Sequence, residues 1–96
     1  MKSLSEIKST LKTHKDILYE KYPIKSLAIF GSYSRNENTN DSDVDILVDF
    51  TERIGIRFID LADELEDIMG IKVDLVSKNG IKEKYFDVIK PDLIYV

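Results

Sequence analysis

Two periods organise the apolar residues of this 96-residue chain, and each change of period marks a new element. Leu4, Ile7, Leu11 and Leu18 recur at helical spacing, with Ser3 or Ser5 in place to cap the start and Pro23 to end the run. The single histidine, His14, lies beside that stripe and reads as a boundary packing residue, since no acid–nucleophile pattern surrounds it. Leu27 and Ile29 then belong to a short apolar strand that stops abruptly at Gly31. A short helix can open at Ser32, followed by a polar connection. Val44, Ile46, Val48 and Phe50 alternate with Asp43, Asp45, Leu47 and Asp49, which makes a strand with one continuous apolar face.

The helical period returns from about Gly55 to Met69, with Phe58, Leu61, Ala62, Leu65, Ile68 and Met69 towards the core. Its other side carries Asp60, Asp63, Glu64, Glu66 and Asp67, a charge run that reads as solvated surface. Gly70 is the expected C-cap. The segment IKVDLVS follows as a strand, with Ile71, Val73 and Leu75 on one face and Lys72, Asp74 and Val76 on the other. Asn79-Gly80 leads into a last helical stretch, IKEKYFDVIK, in which Tyr85, Phe86 and Ile89 read as core and which Pro91 closes. The tail DLIYV reads as an edge strand or a partner contact.

Composition narrows this layout to one domain, residues 1–96, with a single small core. With 43% apolar residues and two prolines the chain is globular in composition. It has no cysteine, hence no disulfide framework and no thiolate metal site, and the cytoplasm is the natural location. No apolar run approaches the ~20 residues of a membrane-spanning helix, and no signal-peptide pattern opens the sequence. The net charge of −4 conceals a division. Residues 1–25 hold six lysines against three acids, residues 37–74 twelve acids against three basic residues, and residues 78–90 four lysines against two acids. The acidic middle attracts magnesium and repels a bare phosphate backbone, which argues against extended nucleic acid as the main ligand and for a metal–nucleotide complex. The same surface could dock a basic protein partner.

The candidate chemistry lies in two places. Residues two apart on a strand point the same way, so the carboxylates of Asp43 and Asp45 project together. Paired like charges favour a cation between them, and oxygen-only donors suit a hard ion such as magnesium. Taken alone, the pair reads equally well as solvated acids at a strand end. Asp74 adds a third carboxylate if its strand neighbours the first, which would make the set a two-metal centre requires, with ions roughly 3.5–4 Å apart. An isolated strand aspartate also serves as edge protection. Ten residues separate the Gly31-Ser32 turn from the pair; Gly31 lets a phosphate approach the backbone, the Ser32 hydroxyl can donate to a phosphate oxygen, and Arg35 could neutralise another. The plainer alternative is a strand-to-helix turn with Ser32 as N-cap.

The stretch GSYSRNENTNDSDVDILVDF resembles the signature of the nucleotidyltransferase (DNA polymerase β-like) superfamily, in particular its minimal, MNT-type members. The likeness extends over almost the whole chain, with Asp74 on the later strand where that family carries its third acid. It implies an α/β fold of the α+β type, a small mixed β-sheet with helices packed on one face and the acids on the open face. It further implies that Gly31 and Ser32 hold a triphosphate, that Asp43 and Asp45 bind magnesium, two ions in all, and that Asp74 helps activate the acceptor hydroxyl. Arg35 stands three residues after the serine, where an arginine is common. Ser34, Asn36 and Asn40 depart from the family, which often has alanine, glycine and proline there. MNT-type proteins are often encoded with a HEPN-type ribonuclease toxin and act as its antitoxin, the active ones by attaching AMP from ATP to a toxin tyrosine. The function expected by resemblance is therefore that of a protein adenylyltransferase antitoxin. Two alternatives use the same residues: an antitoxin that masks the toxin by binding alone, and a subunit of a small-molecule nucleotidyltransferase. A homodimer suits so small a core, although no residue pattern points to one.

Overall fold

A computed structural model describes residues 2–96. Helix α1 spans Leu4–Lys21, and Ser3 caps it, its hydroxyl accepting from the Glu6 N–H at 3.2 Å. Strand β1 (Ile24–Phe30) runs directly into a single-turn helix α2 (Gly31–Ser34). Strand β2 (Val44–Phe50), helix α3 (Arg57–Met69) and strand β3 (Val73–Ser77) follow as a β–α–β unit. A 3₁₀ turn, helix α4 (Glu83–Ile89), a second 3₁₀ turn at Lys90–Asp92 and the two-residue strand β4 (Ile94–Tyr95) complete the order.

The sheet runs β3-β2-β1-β4. β1 is antiparallel to both β2 and β4, and β2 is parallel to β3, as a helical crossover between neighbours requires. The mixed α+β architecture expected above is the one observed. Ile7, Leu11 and Leu18 of α1 and Leu61, Leu65 and Met69 of α3 lie buried on the sheet face formed by Leu27, Ile29, Val44, Ile46, Val48 and Phe50. Burying each such side chain contributes about 1.5–3 kcal/mol. The ends of the two helices are tied together as well. Glu64 accepts from the Lys21 ammonium at 2.6 Å and from the Tyr22 hydroxyl at 3.0 Å, while the Arg57 guanidinium lies 4.9 Å over the Tyr22 ring. His14 is half-buried with a ring nitrogen 2.9 Å from the Thr10 carbonyl, a packing residue as expected.

Three expectations change in detail. Helix α3 starts at Arg57 instead of near Gly55, because Gly55 adopts φ +61, outside the helical region. Tyr85 is 46% exposed and not core. Helix α4 has only seven residues, and the pair it turns inward is Phe86 and Ile89, three apart, which leaves Tyr85 and Val88 outside. The two long helices do pack on one face, but α4 lies on the other. There Ile89 and Phe86 meet Phe30, Leu47 and Leu93 in a second, smaller cluster.

Candidate active site

Gly31 is the hinge of the site. It takes φ +75 immediately after β1, and a Cβ built there would overlap Oδ2 of Asp45 and come within 3.0 Å of its Cγ. Backbone conformation and crowding therefore both demand glycine at this position. The same contact shows that the Asp45 carboxylate lies directly against the Gly-Ser turn. Tyr33, 3% exposed, anchors α2 in the main core. The Arg35 N–H donates to the Gly31 carbonyl at 3.1 Å and the Glu37 N–H to the Ser32 carbonyl at 2.8 Å, closing the turn. Asn36 adopts φ +60, a left-handed conformation that asparagine tolerates better than most residues. Ser32 lies inside α2, whose N-cap is Phe30, so the plainer reading of Ser32 as a cap does not hold.

The acids come together through strand register. Asp45 pairs with Phe30 of β1 on one side and with Asp74 of β3 on the other. Asp43 sits one residue before β2, exposed at the strand's mouth. The Asp45 carboxyl is pushed up to about 6, first by burial and then by the charge and hydrogen bonding of Asp74 and the charge of Asp43, with Arg35 pulling the other way. Among the described residues no group of three or more acidic, histidine or cysteine side chains is placed to hold a metal ion by itself. The donors that Asp43, Asp45 and Asp74 offer are all carboxylate oxygens. Such a set fits magnesium, which takes one or two carboxylates and completes its shell with water and substrate phosphates.

Arg35 is also near, but it is engaged. Its Nε donates to Glu37 Oε1 at 2.8 Å and its Nη1 to Asp92 Oδ2 at 2.9 Å. Ser34 Oγ donates to the Asp92 carbonyl. Asp92, 57 residues from Arg35, escaped the sequence reading because only the pairing of β4 with β1 brings it to the turn. Two surface hollows, of about 390 Å³ beside Lys8 and Lys12 on α1 and about 380 Å³ beside Phe50 and Ile54, are not lined by any of these acids.

Residues 11–95 match the nucleotidyltransferase domain family. The chain belongs to that family. Among nucleotidyltransferases it is 57% identical over 98 residues, all of both chains, to a Methanocaldococcus jannaschii protein provisionally named a protein adenylyltransferase. It is 42% identical to the protein adenylyltransferase MntA of Thermococcus cleftensis, covering 100% of this chain and 98% of that one. A solved structure provisionally described as a minimal nucleotidyltransferase superposes with a TM-score of 0.75 at 28% identity, over 97% of this chain and 95% of the other. The fold is also that found in a complex of a tri-AMPylated Shewanella oneidensis HEPN toxin with its MNT antitoxin, with a TM-score of 0.70 at 21% identity, over 93% of this chain and 70% of that one. Among the described residues of this nucleotidyltransferase no helix is long and apolar enough to cross a membrane.

Proposed function

We propose that this nucleotidyltransferase transfers AMP from ATP to a protein hydroxyl, a tyrosine of a HEPN-type ribonuclease toxin, and thereby acts as its antitoxin. The observation that carries the reading is the seating of the Asp45 carboxylate between the Gly31 turn and Asp74. One element that can hold phosphates thus abuts another that gathers negative charge and calls for a cation. The protein adenylyltransferase names of full-length relatives support the same reaction, and the HEPN complex of a structural neighbour supports the same partner.

In this mechanism the bare backbone at Gly31 lets the triphosphate approach, Ser32 Oγ donates to a phosphate oxygen, and Arg35 offers the guanidinium hydrogens its partners leave free. Asp43, Asp45 and Asp74 would hold magnesium, two ions in the full arrangement, which when bound supplies charge neutralisation at the phosphates. Asp74 is exposed on an edge strand and so can meet an incoming hydroxyl from outside, accepting its proton. The acceptor oxygen forms its bond to the α-phosphorus as the bond to the bridging oxygen breaks, and pyrophosphate leaves. Most of the acceleration comes from positioning and electrostatics.

The test is incubation of the purified chain with magnesium and labelled ATP, with and without a candidate HEPN partner, followed by intact mass. A gain matching AMP on the partner, lost in Asp43→Ala, is expected. Tight binding to the partner with no gain on any protein would instead make the chain a masking antitoxin. Transfer to small hydroxyl compounds without a protein would make it a small-molecule enzyme.

A further inference from the structure

The guanidinium of Arg35 is gripped from two sides, and the two grips differ in quality. Glu37, which holds Nε, has a side chain 64% exposed on the loop after α2. Asp92, which holds Nη1, is 27% exposed and is itself mounted firmly. Its carbonyl accepts from Ser34 Oγ, and the Leu93 N–H closes the 3₁₀ turn onto Lys90 at 3.2 Å. The residues flanking that turn, Ile89 and Leu93, pack with Phe30, the residue just before Gly31. Asp92 therefore rides on the same structural unit as the Gly-Ser turn. An arginine presents five N–H donors in one rigid plane. With Nε and Nη1 engaged, the plane is fixed and Nη2 remains to donate.

We propose that Asp92 is a positioning residue for the nucleotide: it fixes the plane of the Arg35 guanidinium so that the free edge meets the triphosphate at Gly31 and Ser32. The inference rests on the nucleotidyltransferase mechanism proposed above and adds to it a residue from the far end of the chain. Its physical basis is preorganisation. A free arginine must be ordered when the phosphate arrives, whereas one already held by Asp92 loses that freedom during folding. Two other roles predict different results. A rival anion would hold Arg35 away from phosphate, so removing it would tighten binding. A simple tie for the C-terminal turn would lower thermal stability and leave binding unchanged.

The experiment is calorimetric titration of the full chain with magnesium and the non-hydrolysable analogue AMP-PNP, alongside thermal melts. Asp92→Ala is expected to weaken binding about five- to tenfold, and Arg35→Ala at least as much. The double variant should bind no more weakly than Arg35→Ala alone, because Asp92 acts through that side chain. In turnover the Asp92 variants should raise KM for ATP and change kcat less than about twofold. Asp92→Asn keeps the shape and removes the charge, which preserves the test if the alanine variant misfolds. Equal or tighter binding by both Asp92 variants, or additive losses in the double variant, would overturn the inference alone. Failure of the wild-type chain to bind the analogue would strike the underlying mechanism as well.

Discussion

Asp45 and Asp49 occupy the same strand and the same face of the sheet, and their surroundings are opposite. Asp49 faces a cation, Lys78, at 3.9 Å, and that ammonium lies 5.1 Å over the Phe86 ring. Asp45 faces Asp74 across the sheet and Asp43 beside it, with Gly31 pressed against its carboxylate. One acid has a cation of the protein within reach. The other lies among like charges that Arg35 offsets only in part, and in the proposed mechanism a bound cation offsets the rest. Equal spacing along a strand thus meets two different surroundings, and only the neighbouring elements separate them.

Replacing each acid in turn is the sharpest way to break that contrast. Asp45→Asn is expected to lower AMP transfer by about 10²- to 10³-fold, while Asp49→Asn stays within a few-fold of wild type, both read as initial rates of mass gain on the acceptor. Comparable losses in both would erase the distinction. Gly31→Ala comes next, with about a 10²-fold loss of transfer, since the new methyl must displace the Asp45 carboxylate. The same variant should melt a few degrees lower from left-handed strain.

Acidity supplies a gentler probe. Asp45 has its pKa raised from 3.8 to about 6 in the folded chain, so the native state binds more protons than the unfolded one between those values. Its contribution to stability is fully present below about pH 4 and lost as pH rises through about 6. In metal-free protein the melting temperature of Asp45→Asn minus that of wild type should therefore grow across this window. Added magnesium should shrink the difference by stabilising the wild-type chain. The smallest effect belongs to Lys78→Ala. A long, partly exposed pair contributes less than about 1 kcal/mol, and transfer should be unchanged. A large loss of transfer there would place Lys78 in the site and undo the contrast from its other side.

Much of this arrangement is legible in the sequence because it follows from local periods. The alternation of Val44 to Phe50 establishes β2 and projects Asp43 and Asp45 together. Ser3, Gly31 and Gly70 mark element boundaries through backbone chemistry that depends on few neighbours. What stays hidden depends on register and on residues distant in the chain. The strand period shows that Asp74 faces away from Val73 and Leu75, but not that it stands opposite Asp45. Leu47 occupies the acidic face by period yet is buried, because Phe86 and Ile89 of α4 and Leu93 after it cluster with it. Tyr85 looks like core by type and lies outside by helical phase. Asp92 had no local signal at all, since its partners lie far upstream.

The crowding between Gly31 and Asp45 also sets an order in which the site could decay. The three nearest atoms a new Cβ would meet at position 31 all belong to the Asp45 side chain. Shortening the aspartate to alanine thus removes the two closest of these contacts, leaving its Cβ at 3.3 Å and a backbone strain of about 1–2 kcal/mol. The reverse order keeps the collision in place at every step. In a descendant drifting out of use, the aspartate is free to change first and the glycine outlasts it. Glycine alone at that turn therefore says little about a working enzyme; glycine together with the aspartate says much more.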